Sequence, residues 1–148
     1  MKNILLFLLL IFTSDLIHGR SLDQAFLYSS SGILTQKLKI SYIAENIANA
    51  TTLEDESTGL PWQKRYVVLS PDENGVKVTR VGRSTLPFGK YYDPAVPQSN
   101  SEGFVSFPNV NLPDEMVNMS FTETVFEANV NAYKTTKAVY QSVAEMIK

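Results

Sequence analysis

The residues able to do chemistry are few, and their spacing does not suit it. The acidic run Glu54-Asp55-Glu56 has the charge to hold a divalent cation. It lacks the alternating ligands and central glycine of a calcium loop, so it reads as a solvated loop. Asp72-Glu73-Asn74-Gly75 carries as many oxygen donors, but those residue types are what a chain reversal demands. The 148-residue chain has no cysteine and a single histidine, His18. Thiolate zinc sites, cysteine nucleophiles, Ser-His-Asp arrays and histidine-ligated metals therefore have nothing to build on. There is no Gly-rich phosphate loop and no nucleophile-elbow pattern. Asn49-Ala50-Thr51 and Asn118-Met119-Ser120 match a glycosylation sequon, but the second falls inside a predicted helix and no modification is assigned. Trp62, Tyr66, Tyr91 and Tyr92 offer either a carbohydrate platform or a small core, and the core is the simpler reading. No residue pairs a nucleophile with a base, so no enzymatic activity, metal or cofactor is expected.

The elements that carry these residues point elsewhere. Hydrophobic residues make up 44% of the chain and charged ones 19%, a composition that folds. The formal charge of −2 argues against a partner bound through phosphate neutralisation, so no nucleic acid is expected. Lys2 precedes an unbroken apolar run, Ile4 to Phe12, followed by Thr13, Ser14 and Asp15. That arrangement predicts a signal peptide over residues 1–19; nine apolar residues fall short of the roughly 20 that a membrane-spanning helix needs.

A first helix is predicted over residues 20–50. From Leu22 to Ala50 there is no proline, and Phe26, Ile33, Ile40 and Ile47 recur every seven residues, with Ala25, Ile43 and Ala44 thickening the stripe. Seven-residue spacing lines side chains along one seam of a helix. Ser21 or Asp23 would cap its start and Asn49 would end it. A second helix is predicted over residues 113–148, with Pro113, Asp114 and Glu115 supplying first-turn chemistry. Met119, Phe126, Tyr133, Tyr140 and Ile147 follow at intervals of seven, and Met116, Val130 and Val143 fill positions between. Some 35 residues of helix reach about 50 Å, longer than a small globular core requires. Narrow stripes on both helices suggest helix-on-helix pairing.

Residues 51–112 hold six of the seven prolines and five of the seven glycines. Trp62–Leu69 and Val76–Val81 read as strands joined by the turn chemistry of Ser70 to Gly75. Gly82 to Gly103 reads as loop, and Phe104–Phe107 as one short strand. The expected class is α+β: long terminal helices pairing in a coiled-coil-like bundle, with a small β-hairpin-rich insertion between them. The asparagines stand out. Asn46 and Asn49 flank the end of the first helix, and Asn118, Asn129 and Asn131 lie within the second, although asparagine is a mediocre helix former. On an apolar seam an asparagine amide can bond across to a neighbour and fix register; the alternative is ordinary surface polarity.

Several blocks, in order along the chain, resemble the flagellar basal-body rod proteins. Ala44-Glu45-Asn46-Ile47-Ala48-Asn49-Ala50 resembles the signature that closes the family's N-terminal helix. Gly59-Leu60-Pro61-Trp62-Gln63-Lys64-Arg65-Tyr66 is similar to its Gly-x-Pro-Tyr-Arg block, and Tyr92-Asp93-Pro94 through Gly103-Phe104-Val105 to its Tyr-x-Pro…Gly-Tyr-Val segment. Pro108-Asn109-Val110-Asn111, then Glu115 to Met119 and Phe126-Glu127-Ala128-Asn129, are the most specific. The resemblance runs from about Leu22 to Lys148.

What the resemblance implies is a structural subunit of the proximal rod, located in the basal body and spanning the periplasm, with no catalytic role. Its partners would be other rod subunits and basal-body components in a homo- and hetero-oligomeric helical assembly, with no nucleic acid or small-molecule substrate. The assembly interface would comprise Phe26, Ile33, Ile40, Ile43, Asn46, Ile47, Asn49, Met116, Asn118, Met119, Phe126, Asn129, Tyr133, Tyr140 and Ile147. The Ile4–Phe12 run departs from the family, whose members travel through the flagellar exporter uncleaved, and predicts processing and export by the general secretory route. The rival reading is an exported helical hairpin, stable by itself, whose β insertion contacts a surface or carbohydrate ligand.

Overall fold

The computed structural model describes residues 2–147, with side chains described from Leu22 to Ile147. The expected targeting segment over residues 1–19 lies outside the described side chains. The element order is α1 (Lys2–Ala48), β1 (Arg65–Asp72), β2 (Gly75–Arg83), β3 (Gly89–Tyr92), β4 (Phe104–Phe107) and α2 (Leu112–Met146). Two long helices enclose a middle made of two separate two-stranded antiparallel sheets, β1–β2 and β3–β4. The class is α+β, as the sequence predicts.

Helix α1 passes through Ser21 and Asp23 without interruption, so neither caps its start. Its C-terminal end is closed by Asn49, whose Nδ2 donates to the Glu45 carbonyl while Oδ1 accepts from Thr52 Oγ1. Helix α2 begins one residue before Pro113. Asn111 is its N-cap, accepting from the Asp114 N–H at 3.3 Å, and Pro113 sits in the first turn where a missing N–H costs nothing.

The two helices pack antiparallel with a constant register. Asn46 bonds Glu115, and Gly32 faces Asn129; fourteen residues back along α1 are matched by fourteen forward along α2. A Cβ on Gly32 would sit 2.5 Å from Asn129 Oδ1, so this glycine is what lets the asparagine nest there. Ser29, Thr35, Thr122 and Thr136 are buried along the same line. Each turns its hydroxyl back onto a carbonyl of its own helix, as in Ser29 to Ala25 and Thr122 to Asn118. Their donors are thereby satisfied locally, and only small, effectively apolar surface faces the other helix. The centre of the pairing is therefore small and polar, and the apolar stripes lie beside it.

The β1–β2 hairpin lies along α1. Its start is held at Asn46 and its tip at Ser31, whose Oγ accepts from the Val76 N–H. The reversal is tighter than the sequence suggests: Ser70, Pro71 and Asp72 continue β1, and Asp72 pairs directly with Gly75, leaving Glu73-Asn74 as the turn. Gly75 takes φ +118°, backbone open to glycine at little cost, and a Cβ there would strike Ser31. A bulge places Thr79 as the extra residue between Val68 and Leu69 in the register. The stretch expected as loop contains β3, which pairs with β4 from Gly89–Phe107 to Tyr92–Phe104. Tyr66, Tyr91 and Tyr92 are exposed, so of the four aromatics expected in a small core only Trp62 is buried. Among the described residues the buried hydrophobic side chains are Ile43, Trp62 and Val105.

Candidate functional site

Asn46 is the point where the elements meet. It is 1% exposed, and its amide uses all four of its bonding positions. Nδ2 donates to the Arg65 carbonyl at 2.8 Å and to Glu115 Oε2 at 3.1 Å. Oδ1 accepts from the Arg65 N–H at 2.8 Å and the Trp62 indole N–H at 3.3 Å. One side chain thus joins the end of α1, the start of β1 and the first turn of α2. Glu115 is equally buried, and its Oε1 meets the half-buried Lys64 ammonium in a charge contact without directed hydrogen-bond geometry. Arg65 stacks over Trp62 at 4.6 Å and pairs with Glu45. Asn109 extends the network: its Oδ1 accepts from the Lys64 N–H and its Nδ2 donates to the Leu86 carbonyl. A cleft of about 160 Å³ beside this cluster is lined by Lys39, Tyr42, Lys64, Arg65, Glu115 and Asn118, among others.

This cluster is joinery. It holds no nucleophile beside a base, and no group of His, Cys, Asp and Glu suited to a metal occurs among the described residues. Asp55, from the acidic run, accepts from the Ser57 hydroxyl and N–H, and these bonds hold its carboxyl below the usual value of 3.8. It is a turn residue. Trp62 faces Asn46, so it is not available as a carbohydrate platform. Among the described residues no helix is long and apolar enough to cross a membrane.

The residues expected at an assembly interface fall into three groups. Ile43 and Asn46 are buried within the chain, and Asn49 and Asn129 make bonds back to their own helices. Phe26, Ile33, Ile40, Ile47, Met119 and Phe126 are half-buried along one edge of the α1–α2 pairing. Phe26 meets Tyr133 edge-on at 5.2 Å and Tyr140 at 6.3 Å, so this edge is an aromatic seam with its outer side open. Met116, Asn118, Tyr133, Tyr140 and Ile147 are exposed. Sequence reasoning singled out Asn46 but missed its partners. Glu115 reads as a first-turn acid complementing the helix dipole, and Lys64 stands only within the Gly59–Tyr66 block, with no role of its own. Only the fold, which closes the 69 residues between Asn46 and Glu115, brings Lys64 onto the buried carboxylate.

The apolar surface left open is the site's main feature. Met116 is 61% exposed, Val117 70% and Phe121 65%, all on a well-formed helix. Exposed apolar side chains in such numbers mark a surface that contacts a protein, a membrane or a ligand.

Residues 101–146 match the family model described as the C-terminal region of flagellar basal body rod FlgEFG proteins. The chain is 30% identical to the flagellar basal-body rod protein FlgC of Aquifex aeolicus, over 81% of this chain and 92% of that one. Against FlgC of Buchnera aphidicola the identity is 31%, over 80% and 93%. Against that of Borreliella burgdorferi it is 29%, over 81% and 93%.

Proposed function

The chain belongs to the FlgC family of flagellar basal-body rod proteins, and on that footing we propose how it serves the proximal rod. It is a structural subunit of the basal body and not an enzyme. It assembles with other rod and basal-body proteins across the periplasm, in a helical array of its own copies and related subunits. The open edge of the α1–α2 pair is the assembly surface: Phe26, Ile33, Ile40, Ile47, Met119, Phe126, Tyr133 and Tyr140 along the seam, with Met116, Asn118 and Ile147 beside and beyond it. Ile43, Asn46, Asn49 and Asn129 set the register in which that edge is presented.

The observation that carries this reading is the contrast between order and cover. The helices are long and paired, yet buried hydrophobic side chains are few among the described residues, and large ones lie open along both helices. A subunit that transmits torque needs a stiff, repeated, heterologous contact, and head-to-tail contacts that do not close build a helical filament. Each large apolar side chain covered contributes about 1.5–3 kcal/mol. Several per subunit offset the cost of ordering a neighbour, estimated at about 4–15 kcal/mol.

Deleting the gene tests the proposal. Non-motile cells whose basal bodies stop before the rod support it; intact rods and normal swimming overturn it.

A further inference from the structure

Helix α2 has a second face, distinct from the edge just described. Val117, Phe121, Thr124, Ala128, Ala132, Thr135, Val139, Ser142 and Met146 follow one another at steps of three and four. The set repeats after eighteen residues, five turns of a straight helix, so these side chains form one line along its length. All are exposed and none is charged. The line faces away from α1, the element that α2 packs against among the described residues. It is bulky at its ends, with Phe121 65% and Met146 85% exposed, and small in its middle, at Thr124, Ala128 and Ala132.

Helix α1 has an outer line too. Leu27, Leu34, Ser41 and Ala48 are spaced by seven and exposed, Leu34 at 68%. It is bulky in its first half and small in its second. Set antiparallel, the two lines complement each other: Leu34 falls on the small middle at Ala128, Phe121 falls on Ser41, and Leu27 falls on Thr135. The same arrangement brings the exposed Lys37 beside the α1 line toward the exposed Glu127 beside the α2 line. From Val117 to Thr135, which lies opposite Leu27, the matched lines run about 27 Å at 1.5 Å per residue.

We propose that the outer line of α2 docks on the outer line of α1 in a second copy of this chain, antiparallel, with Leu34 opposite Ala128. The two lines lie on different helices, so the contact is heterologous and each copy keeps one free line of each kind. The contact therefore propagates from copy to copy. This inference rests on the reading of the chain as a rod subunit and adds which face meets which.

The chain has no native cysteine, so engineered ones report without background. A variant carrying both Leu34→Cys and Ala128→Cys, at exposed positions that leave the core intact, replaces the native chain in cells. The two positions lie on the outer sides of their helices, too far apart to bridge within one copy. Oxidation of purified basal bodies is expected to give a ladder of dimers, trimers and larger species, more than tenfold above either single variant. The out-of-register pair Leu34→Cys with Met146→Cys is expected to stay monomeric. Three results overturn the inference: single variants that dimerise as well as the double one, equal ladders from both pairs, or no ladder from basal bodies that contain the variant. Absence of the chain from basal bodies in cells that swim would instead defeat the rod reading itself.

Discussion

Replacing Asn46 with alanine removes the one side chain that ties α1, β1 and α2 together, and the loss can be worked from its bonds. Three of the four are to neutral groups, the Arg65 carbonyl, the Arg65 N–H and the Trp62 indole. Each is worth about 1 kcal/mol net, and the fourth, to the Glu115 carboxylate, about 1.5–3 kcal/mol. The gross loss is therefore about 5 kcal/mol. Water reaching the half-buried Arg65 backbone recovers some of it, leaving about 4 kcal/mol. For a chain of this length about 2–4 °C of melting temperature follows each kcal/mol, so the midpoint is expected to fall by about 8–16 °C. Thermal and urea unfolding of the isolated subunit, followed by circular dichroism, reads this directly. Asn46→Asp keeps both acceptor bonds but turns the donor into a second carboxylate oxygen beside Glu115, and is expected to destabilise at least as much. A loss below about 1 kcal/mol in both variants would show that the four bonds do not cooperate, and the account of Asn46 as the joint would fail.

Other consequences can be checked on the same subunit. Lys64→Met strands a buried carboxylate, whereas Glu115→Gln leaves an ammonium able to reach water. The first is expected to cost about 3 kcal/mol and the second about 1 kcal/mol, with equal losses refuting a buried pair. Gly32→Ala forces a Cβ into Asn129, an overpacking cost of about 1–3 kcal/mol set against about 1 kcal/mol of helix propensity. The net loss of about 1 kcal/mol is expected to vanish when Asn129→Ala is added, as a double-mutant cycle would show. Asp72 is held below its usual 3.8 chiefly by its hydrogen bond from Lys77, and Asp55 by those from Ser57. A carboxylate with a depressed value contributes fully above 3.8 and loses that contribution as pH falls below it. In an NMR titration Lys77→Met is expected to return Asp72 toward 3.8 and leave Asp55 unmoved.

Much of this molecule is legible in the sequence because local chemistry and tertiary packing agree. The proline-free run, the Pro113-Asp114-Glu115 start of α2 and the glycine at the hairpin tip each state their structure locally. Even the unusual asparagines pointed to Asn46. Strand β3 was missed because four residues, Gly89 to Tyr92, between prolines carry no periodicity of their own; their strand character comes from β4. The centre of the helix pairing was misplaced for a deeper reason. Hydrophobic periodicity finds the most apolar face of a helix, and in a lone domain that face is the core. Here the helices meet along Ser29, Gly32, Thr35, Thr122 and Thr136, which look like surface until their hydroxyls are seen bonded to their own carbonyls. Here the apolar residues are divided among several faces of each helix, and one stripe cannot show which face serves which contact. Glu115 and Lys64 stayed hidden because a buried ion pair has no short-range signature.

Labelling rates of single cysteines at Met116 and Tyr140 put the account to its most direct test. A water-soluble maleimide is reacted with each variant, first as isolated subunit and then within purified basal bodies. The expected result is rapid reaction in the free chain, where both positions stand open, and at least a tenfold slower one after assembly. Equal rates in the two states, in basal bodies that demonstrably contain the chain, would contradict the claim that neighbouring subunits cover this surface.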